Sequence, residues 1–232
     1  PMVQLNQADG PNLFAFPPGT GDVLGYIPLA DKLENCRLFA FNFIENENRD
    51  TLYADLIEEK QPQGEITLFG YSAGGNLACH VANALELRGR LVKDIIMVDS
   101  SRKMAAYQFD PNETKRITED FLNHETIKPY VSSPLLKDKV VRKISSYYNY
   151  IEETVDLLLL NANLHVILAE AGQDKFHDNE GKLIMHLSAW AQATNGCYRT
   201  YQGTGLHNYM LYQKPLEANA EIISRIVKES SL

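Results

Sequence analysis

The sequence predicts an α/β protein in which helices cover both faces of a mostly parallel β-sheet. Short apolar runs alternate with helical patterns along most of the chain, which is typical of a parallel sheet. The run at 95–98 is apolar without alternation, as central parallel strands are. The segment Gly-Tyr-Ser-Ala-Gly at 70–74 lies between such a run and a helical pattern. These three observations together define the fold class.

The predicted elements follow in a regular order. In chain order they are strands at 13–16 and 37–43, a helix at 51–59, a strand at 66–69, a helix at 76–87, strands at 94–98, 165–169 and 197–201, and a final helix at 217–226. The first strand ends at the turn sequence Pro-Pro-Gly-Thr-Gly, 17–21.

Residues 103–160 interrupt this alternation. They contain no convincing strand pattern, but two polar helical patterns at 113–123 and 135–153. A connection of this length exceeds an ordinary crossover, so we predict a helical lid inserted into a single domain, 1–232. Two ordinary packing helices are the alternative. Tyr147, Tyr148 and Tyr150 are candidate lid contacts, and helix packing explains them equally well.

Composition excludes several classes of protein. The chain has 232 residues, 44% of them hydrophobic, and a formal net charge of -8 without a basic run, which argues against a nucleic-acid partner. Cys36, Cys79 and Cys197 lack the spacing of a zinc site or a disulfide framework, which favours reduced thiols in the cytoplasm. The sequence shows no membrane-spanning run and no signal peptide. Because the start lacks an initiator context, we expect a domain excised from a larger protein.

The strand–turn–helix segment around Ser72 predicts a nucleophile elbow, the feature of α/β-hydrolases that exposes a serine on a sharp turn. Gly70 and Gly74 meet the steric demand of that turn, because a side chain at either position would collide with neighbouring backbone. The following helix directs its N-terminus, and the Ala73 amide, at the reacting carbonyl.

A serine nucleophile needs a base, and His207 is the best of six histidines. It follows the last strand in the loop Gly-Thr-Gly-Leu-His, 203–207, where enzymes with the chain order Ser, acid, His place their base. The other histidines suit other roles: His80 on the elbow helix is predicted to be a packed or rim residue, His124 lies in the insertion, His165 begins a strand, and His177 and His186 flank a predicted helix start.

Two aspartates are candidates for the acid that orients the base. Asp174 occupies the later position that many such hydrolases use, but it lies in the solvated-looking segment Gln-Asp-Lys, 173–175. Asp99 directly follows a buried strand and has no charged neighbour in sequence. Because an unpaired buried carboxylate is costly, this argument favours Asp99 and leaves Asp174 open.

The oxyanion hole needs two backbone N–H donors. Ala73 supplies one. The other is expected in the loop after the first strand, where Pro17 and Pro18 have no N–H, so Gly19 is the first available donor. A turn without a catalytic role is the alternative for this loop.

The chain resembles the terminal thioesterase domains of nonribosomal peptide synthetases, in particular those of lipopeptide assembly lines such as surfactin and fengycin. The resemblance spans nearly the whole chain and weakens in the insertion. The resembling segments are Phe-Ala-Phe-Pro-Pro (14–18), Leu-Phe-Gly-Tyr-Ser-Ala-Gly-Gly-Asn-Leu-Ala (68–78), Asp-Ile-Ile-Met-Val-Asp-Ser (94–100), Ser-Ala-Trp (188–190) and Gly-Thr-Gly-Leu-His (203–207).

The resemblance implies a catalytic triad of Ser72, Asp99 and His207 under a helical lid. It implies that an upstream carrier domain delivers a peptidyl thioester on its phosphopantetheine arm, and that the domain holds no cofactor of its own. The acyl-enzyme would close into a macrocycle or be hydrolysed, and a stand-alone editing thioesterase or esterase is the alternative. We expect a monomer that inserts in no membrane.

Overall fold

The computed structural model describes residues 2–123, 128–172 and 174–230. His124 and Gln173 therefore lie outside the described residues. The helices and strands are, in order, β1 (Met2–Gln4), β2 (Asn12–Phe16), α1 (Ile27–Ala30), β3 (Arg37–Phe41), α2 (Arg49–Lys60), β4 (Ile66–Tyr71), α3 (Ala73–Leu87), β5 (Val92–Val98), β6 (Arg102–Lys103), α4 (Pro111–Asn123), α5 (Pro134–Glu153), β7 (Asn163–Leu168), β8 (Lys175–His177), β9 (Leu183–His186), β10 (Tyr198–Gln202) and α6 (Gln213–Ser230). Short 3-10 helices cover Val23–Tyr26, Lys128–Val131, Ser188–Gln192 and His207–Tyr209.

Seven strands form the central sheet in the order β1-β3-β2-β4-β5-β7-β10. All neighbours are parallel except β1, which pairs antiparallel with β3 at the edge. The predicted parallel sheet is confirmed. Because the strands are parallel, the segments that follow β4, β5 and β10 all leave the sheet at its carboxyl-terminal edge, where ligand sites of open α/β sheets form.

Helices cover both faces of the sheet. Alternate residues of β4 point in opposite directions: Leu68 joins the core under α2 and α3, whereas Phe69 joins the core under α1 and α6. Both side chains are fully buried. Strands buried on both faces explain why the central runs of the sequence are apolar throughout.

A second, three-stranded antiparallel sheet, β6-β9-β8, was not foreseen from the sequence. His177 lies in β8 and His186 in β9, so the expectation that they flank a helix start is wrong. The first of these strands, Arg102–Lys103, lies at the start of the predicted insertion, which therefore contains more than helices.

The two helices predicted in the insertion are present as α4 and α5. Ser133 caps α5, since its hydroxyl accepts a hydrogen bond from the Leu136 N–H, and Pro134 occupies the first turn. The amino-terminal half of α5 exposes Leu135, whereas Tyr147 near its other end is buried in the main core. The end of α5 is thus anchored to the body of the protein.

Candidate active site

The elbow has the backbone geometry that its sequence predicts. Ser72 has φ 55° and ψ -128°, a conformation that L-residues rarely adopt. A Cβ on Gly70 would lie 2.2 Å from the Gly74 carbonyl carbon, and a Cβ on Gly74 would lie 2.4 Å from the Phe16 carbonyl oxygen. Both contacts are with backbone, so only glycine fits. The Ser72 N–H donates to the Val98 oxygen at 2.9 Å, which attaches the strained turn to β5.

The structure brings Ser72, His207 and Asp99 together. The distance from His207 Nε2 to Ser72 Oγ is 3.0 Å, and the distance from His207 Nδ1 to Asp99 Oδ2 is 2.6 Å. Asp99 also accepts a hydrogen bond from the Ala169 N–H at 3.2 Å. Three segments far apart in sequence thus form one hydrogen-bonded relay, the arrangement that activates a serine hydroxyl.

Asp174, the other candidate acid, lies elsewhere. Its carboxylate is exposed and accepts hydrogen bonds from the Ser188 N–H at 2.9 Å and the Ser188 hydroxyl at 2.6 Å, and it contacts His186 Nε2 at 3.2 Å. Those hydrogen bonds with Ser188 lower its pKa. Asp174 therefore organises the second sheet and does not contact His207.

The remaining described histidines serve structural contacts or face solvent. His80 on α3 contacts the fully buried Asp156 at 3.0 Å, and His165 lies 2.7 Å from Asp94 and 2.9 Å from the Tyr201 hydroxyl. His177 is exposed. His80 on the elbow helix is thus mostly buried and paired with an aspartate.

Two residues that sequence reasoning missed hold His207, the predicted base, in place. Asn219 of α6 is fully buried. Its side chain accepts a hydrogen bond from the Thr204 N–H at 2.9 Å and donates one to the Met210 carbonyl oxygen at 2.7 Å. Asn219 therefore fixes both ends of the loop around His207. The Tyr71 hydroxyl donates to the His207 carbonyl oxygen. Asn219 lies outside every motif, and Tyr71 occupies a variable position of the Gly-x-Ser-x-Gly segment, so both roles arise from tertiary contacts that the sequence does not show.

The relay opens into a cavity of about 440 Å³. Ser72, His207, Asp99 and the two predicted donor residues, Gly19 and Ala73, all line it. The insertion contributes aromatic walls. These are Tyr107, Phe109, Tyr148 and Tyr150, joined by Phe176 from β8. Of the three tyrosines singled out in the sequence, Tyr148 and Tyr150 line the cavity, whereas Tyr147 is buried behind it.

Part of the cavity lining is polar. Asp156 accepts hydrogen bonds from Asn76 Nδ2 and the Lys103 N–H, both at 2.6 Å. The Lys103 ammonium donates to the Ile151 and Glu152 carbonyl oxygens, and burial lowers its pKa to about 8. The cavity lining therefore combines apolar rings with a fixed network of charged groups.

Comparison with known proteins identifies the family. The family model described as the thioesterase domain matches residues 11–227. The chain belongs to the thioesterase domain family. This thioesterase domain is an enzyme of the α/β-hydrolase fold, and the prediction of both family and fold class is confirmed.

Its relatives are parts of long synthetases. The domain is 36% identical over 219 residues to surfactin synthase subunit 3 of Bacillus subtilis, and 34% identical over 239 residues to tyrocidine synthase 3 of Brevibacillus parabrevis. These alignments cover 94% and 98% of this chain, but 16% and 4% of the respective relatives. The solved thioesterase domain of surfactin synthesis, described as cyclising that lipopeptide, aligns with a TM-score of 0.80 at 33% identity over 95% of this chain and 92% of that chain.

Neither a metal-binding cluster nor a membrane-spanning helix is present in the described ranges. Within residues 2–123, 128–172 and 174–230, no three His, Cys, Asp or Glu side chains are grouped to hold a metal ion. The same ranges contain no helix long and apolar enough to cross a membrane.

Proposed function

We propose that this thioesterase domain releases a carrier-bound peptide or lipopeptide through an acyl-enzyme on Ser72, with macrocyclisation as the main outcome and hydrolysis in competition. The observation that carries the proposal is the Ser72–His207–Asp99 relay, with contacts of 3.0 and 2.6 Å, at the base of an aromatic cavity. The similarity to the surfactin thioesterase domain supports the substrate class and the cyclising outcome.

The geometry supports a two-step acyl transfer. His207 Nε2 takes the Ser72 proton while Oγ attacks the thioester carbonyl, and Asp99 holds the imidazole in the tautomer with its free nitrogen toward Ser72. The Gly19 and Ala73 amides would stabilise the oxyanion. His207 then protonates the departing thiolate, and no intrinsic cofactor is required.

The second step decides the product. A hydroxyl or amine of the bound peptide, or a water molecule, transfers its proton to His207 and attacks the Ser72 ester. A folded, oriented chain has a high effective molarity, so ring closure competes with water when the cavity excludes it. The rings of Tyr107, Phe109 and Tyr148 line the cavity with apolar surface that helps to exclude water.

The partner that follows from this chemistry is the upstream carrier domain of the same synthetase, whose phosphopantetheine arm presents the thioester. The curated relatives are long synthetases of which this domain covers a small part, which supports that assignment. We also propose a monomeric, cytoplasmic domain; the three cysteines are free thiols, which suits a reducing compartment.

Mass spectrometry of the products from a linear lipopeptidyl thioester tests the proposal. The wild type should give a product one water lighter than the free acid, and Ser72→Ala should give neither that product nor an acyl-enzyme. Free acid alone would instead favour the alternative, an editing thioesterase or esterase. Turnover or acylation that persists in Ser72→Ala would overturn the assignment of the nucleophile.

A further inference from the structure

The loop that carries Gly19 has few hydrogen bonds of its own. Pro17 and Pro18 have no N–H, and the Gly21 N–H donates to the Pro18 oxygen at 2.8 Å to close a turn. In the part of the chain that the structure describes, the Gly19 N–H has no protein acceptor, as a donor reserved for substrate requires. Contacts from outside the loop must therefore determine where this N–H points.

Two buried tyrosine hydroxyls hold the main chain at the base of this loop. Tyr26 donates to the Phe16 carbonyl oxygen at 2.5 Å, and Tyr147 donates to the Pro17 carbonyl oxygen at 2.9 Å. Both side chains are fully buried. Tyr26 comes from the 3-10 helix that follows the loop, whereas Tyr147 comes from α5 of the insertion. Burial raises the pKa of each phenol well above its usual value, which favours the protonated form that donates these hydrogen bonds.

The same contacts connect the loop to the elbow. The Tyr26 hydroxyl also accepts a hydrogen bond from the Tyr71 N–H at 3.0 Å, one residue before Ser72. Gly74 packs directly against the two held carbonyl oxygens, since a Cβ there would lie 2.4 Å from the Phe16 oxygen and 2.9 Å from the Pro17 oxygen. One hydroxyl therefore joins the segment of Gly19 to the segment of Ala73.

We propose that Tyr26 and Tyr147 are positioning residues that fix the spacing between the Gly19 and Ala73 amides and so preorganise the oxyanion hole. This inference rests on the proposed function, in which those amides stabilise a tetrahedral oxyanion. Such donors act only where they are already aimed at the developing charge, so a small displacement of the loop is felt in the chemical step. Neither tyrosine touches the substrate.

Tyr26→Phe and Tyr147→Phe test the proposal, because each removes one hydroxyl and keeps the ring. Tyr53→Phe is the matched control. Tyr53 is fully buried, and its hydroxyl donates to the Asn42 carbonyl oxygen at 2.9 Å and not to the carbonyl oxygen of Phe16 or Pro17. The assays are single-turnover acylation of Ser72 by a p-nitrophenyl ester and binding of an alkyl boronic acid, whose tetrahedral serine adduct occupies the oxyanion hole. Circular dichroism and thermal unfolding establish that each variant is folded.

Each positioning variant should lower the acylation rate constant and the boronic acid affinity by roughly 10- to 100-fold, with the Kd for the ester changed less than about twofold. Tyr53→Phe should retain wild-type values. Wild-type acylation in both folded variants, or an equal loss in Tyr53→Phe, would overturn the proposal. Unfolding of both variants would assign the hydroxyls to stability and overturn it as well. A wild type that forms no acyl-enzyme would instead refute the proposed function, and the positioning role with it.

Discussion

The strained backbone at Ser72 depends on the two glycines beside it. A positive φ at a residue other than glycine costs on the order of 1–3 kcal/mol, and the surrounding packing must hold it. Here the turn is held by the Val98 hydrogen bond and by direct packing of Gly70 on the Gly74 backbone. The conformation of Ser72, the proposed nucleophile, is therefore a property of tightly packed main chain.

Gly74→Ala is expected to damage both stability and activity. Its Cβ would lie 2.4 Å from the Phe16 carbonyl oxygen, so the elbow helix or β2 must shift. We expect a loss of about 1–3 kcal/mol in the free energy of unfolding, as for other overpacked interiors. We also expect a lower rate of Ser72 acylation in the fraction that remains folded, because the shift displaces the elbow. Urea unfolding and ester acylation measure the two effects. Gly172→Ala is the stability control, since no heavy atom of the described residues, apart from its chain neighbours, lies within 4 Å of its added Cβ. Wild-type stability in Gly74→Ala would contradict the packing argument.

Asp99→Asn should lower kcat by roughly 10³- to 10⁴-fold, because an amide no longer holds the imidazole in the required tautomer. Steady-state kinetics on a thioester substrate measure it. Asp174→Asn is the matched control, since that carboxylate contacts His186 and Ser188 and not His207. If the two variants exchanged behaviour, the orienting acid would be Asp174.

At the scale of elements, the insertion supplies both the aromatic wall of the cavity and the anchor of α5. The ring of Phe109 stands edge-on to that of Tyr148, with 5.6 Å between the ring centroids. Phe109 lines both the cavity at Ser72 and a second cavity of about 700 Å³ between α4 and α5. The ring of Tyr107 also packs here: its centroid lies 5.6 Å from that of Phe109 and 5.4 Å from that of Phe176 in the second sheet. Phe109 and Tyr148 thus lie between the two cavities, together with Thr114, which also lines both.

Phe109→Ala should connect these cavities and admit water to the acyl-enzyme. We expect the ratio of hydrolysed to cyclised product to rise roughly 3- to 10-fold, on the order of 1 kcal/mol in relative barriers. Chromatography of products from a peptidyl thioester gives the ratio. Leu135→Ala on the exposed part of α5 is the control and should leave the ratio unchanged. An unchanged ratio in Phe109→Ala would mean that this ring does not control water access.

The elements that sequence reasoning found and missed differ in a physical way. β4, β5 and the Ser72 elbow carry strong local signals, because a buried parallel strand is apolar throughout and its turn demands glycine. β8 and β9 are short and partly exposed, so β9, Leu183–His186, has no clear periodicity. For the adjacent Tyr147 and Tyr148, only packing decides which one is buried and which lines the cavity.

For the whole molecule, the titration of one buried carboxylate shapes stability against pH. Asp22 is 3% exposed; its Oδ1 accepts from the Leu24 N–H at 2.9 Å, and its Oδ2 has no protein partner in the described part of the chain. Burial raises its pKa to about 6, and the Leu24 hydrogen bond and the Lys143 charge offset only part of that effect. Ionisation of this buried carboxyl therefore lowers the free energy of unfolding.

Asp22→Asn is expected to remove that penalty and keep the hydrogen bond to Leu24. Between about pH 4 and pH 6 the folded wild type retains a proton that the unfolded chain has released, so its stability falls as pH rises through this window. The unfolding free energy of the variant relative to wild type should therefore grow by up to about 3 kcal/mol from pH 4 to pH 7. Urea titrations at several pH values measure it, and parallel curves for the two proteins would contradict the role of Asp22.

The hydrogen bonds from Tyr26 and Tyr147 have a consequence for redesign. They hold carbonyl oxygens of Phe16 and Pro17, so the course of the loop does not depend on the side chain at position 19. A Cβ at Gly19 would lie 3.5 Å from the Tyr148 hydroxyl, which is ordinary contact, and it would project into the cavity. Substitutions at position 19 can therefore change the shape of the cavity one methyl group at a time, while the N–H of residue 19 keeps its position.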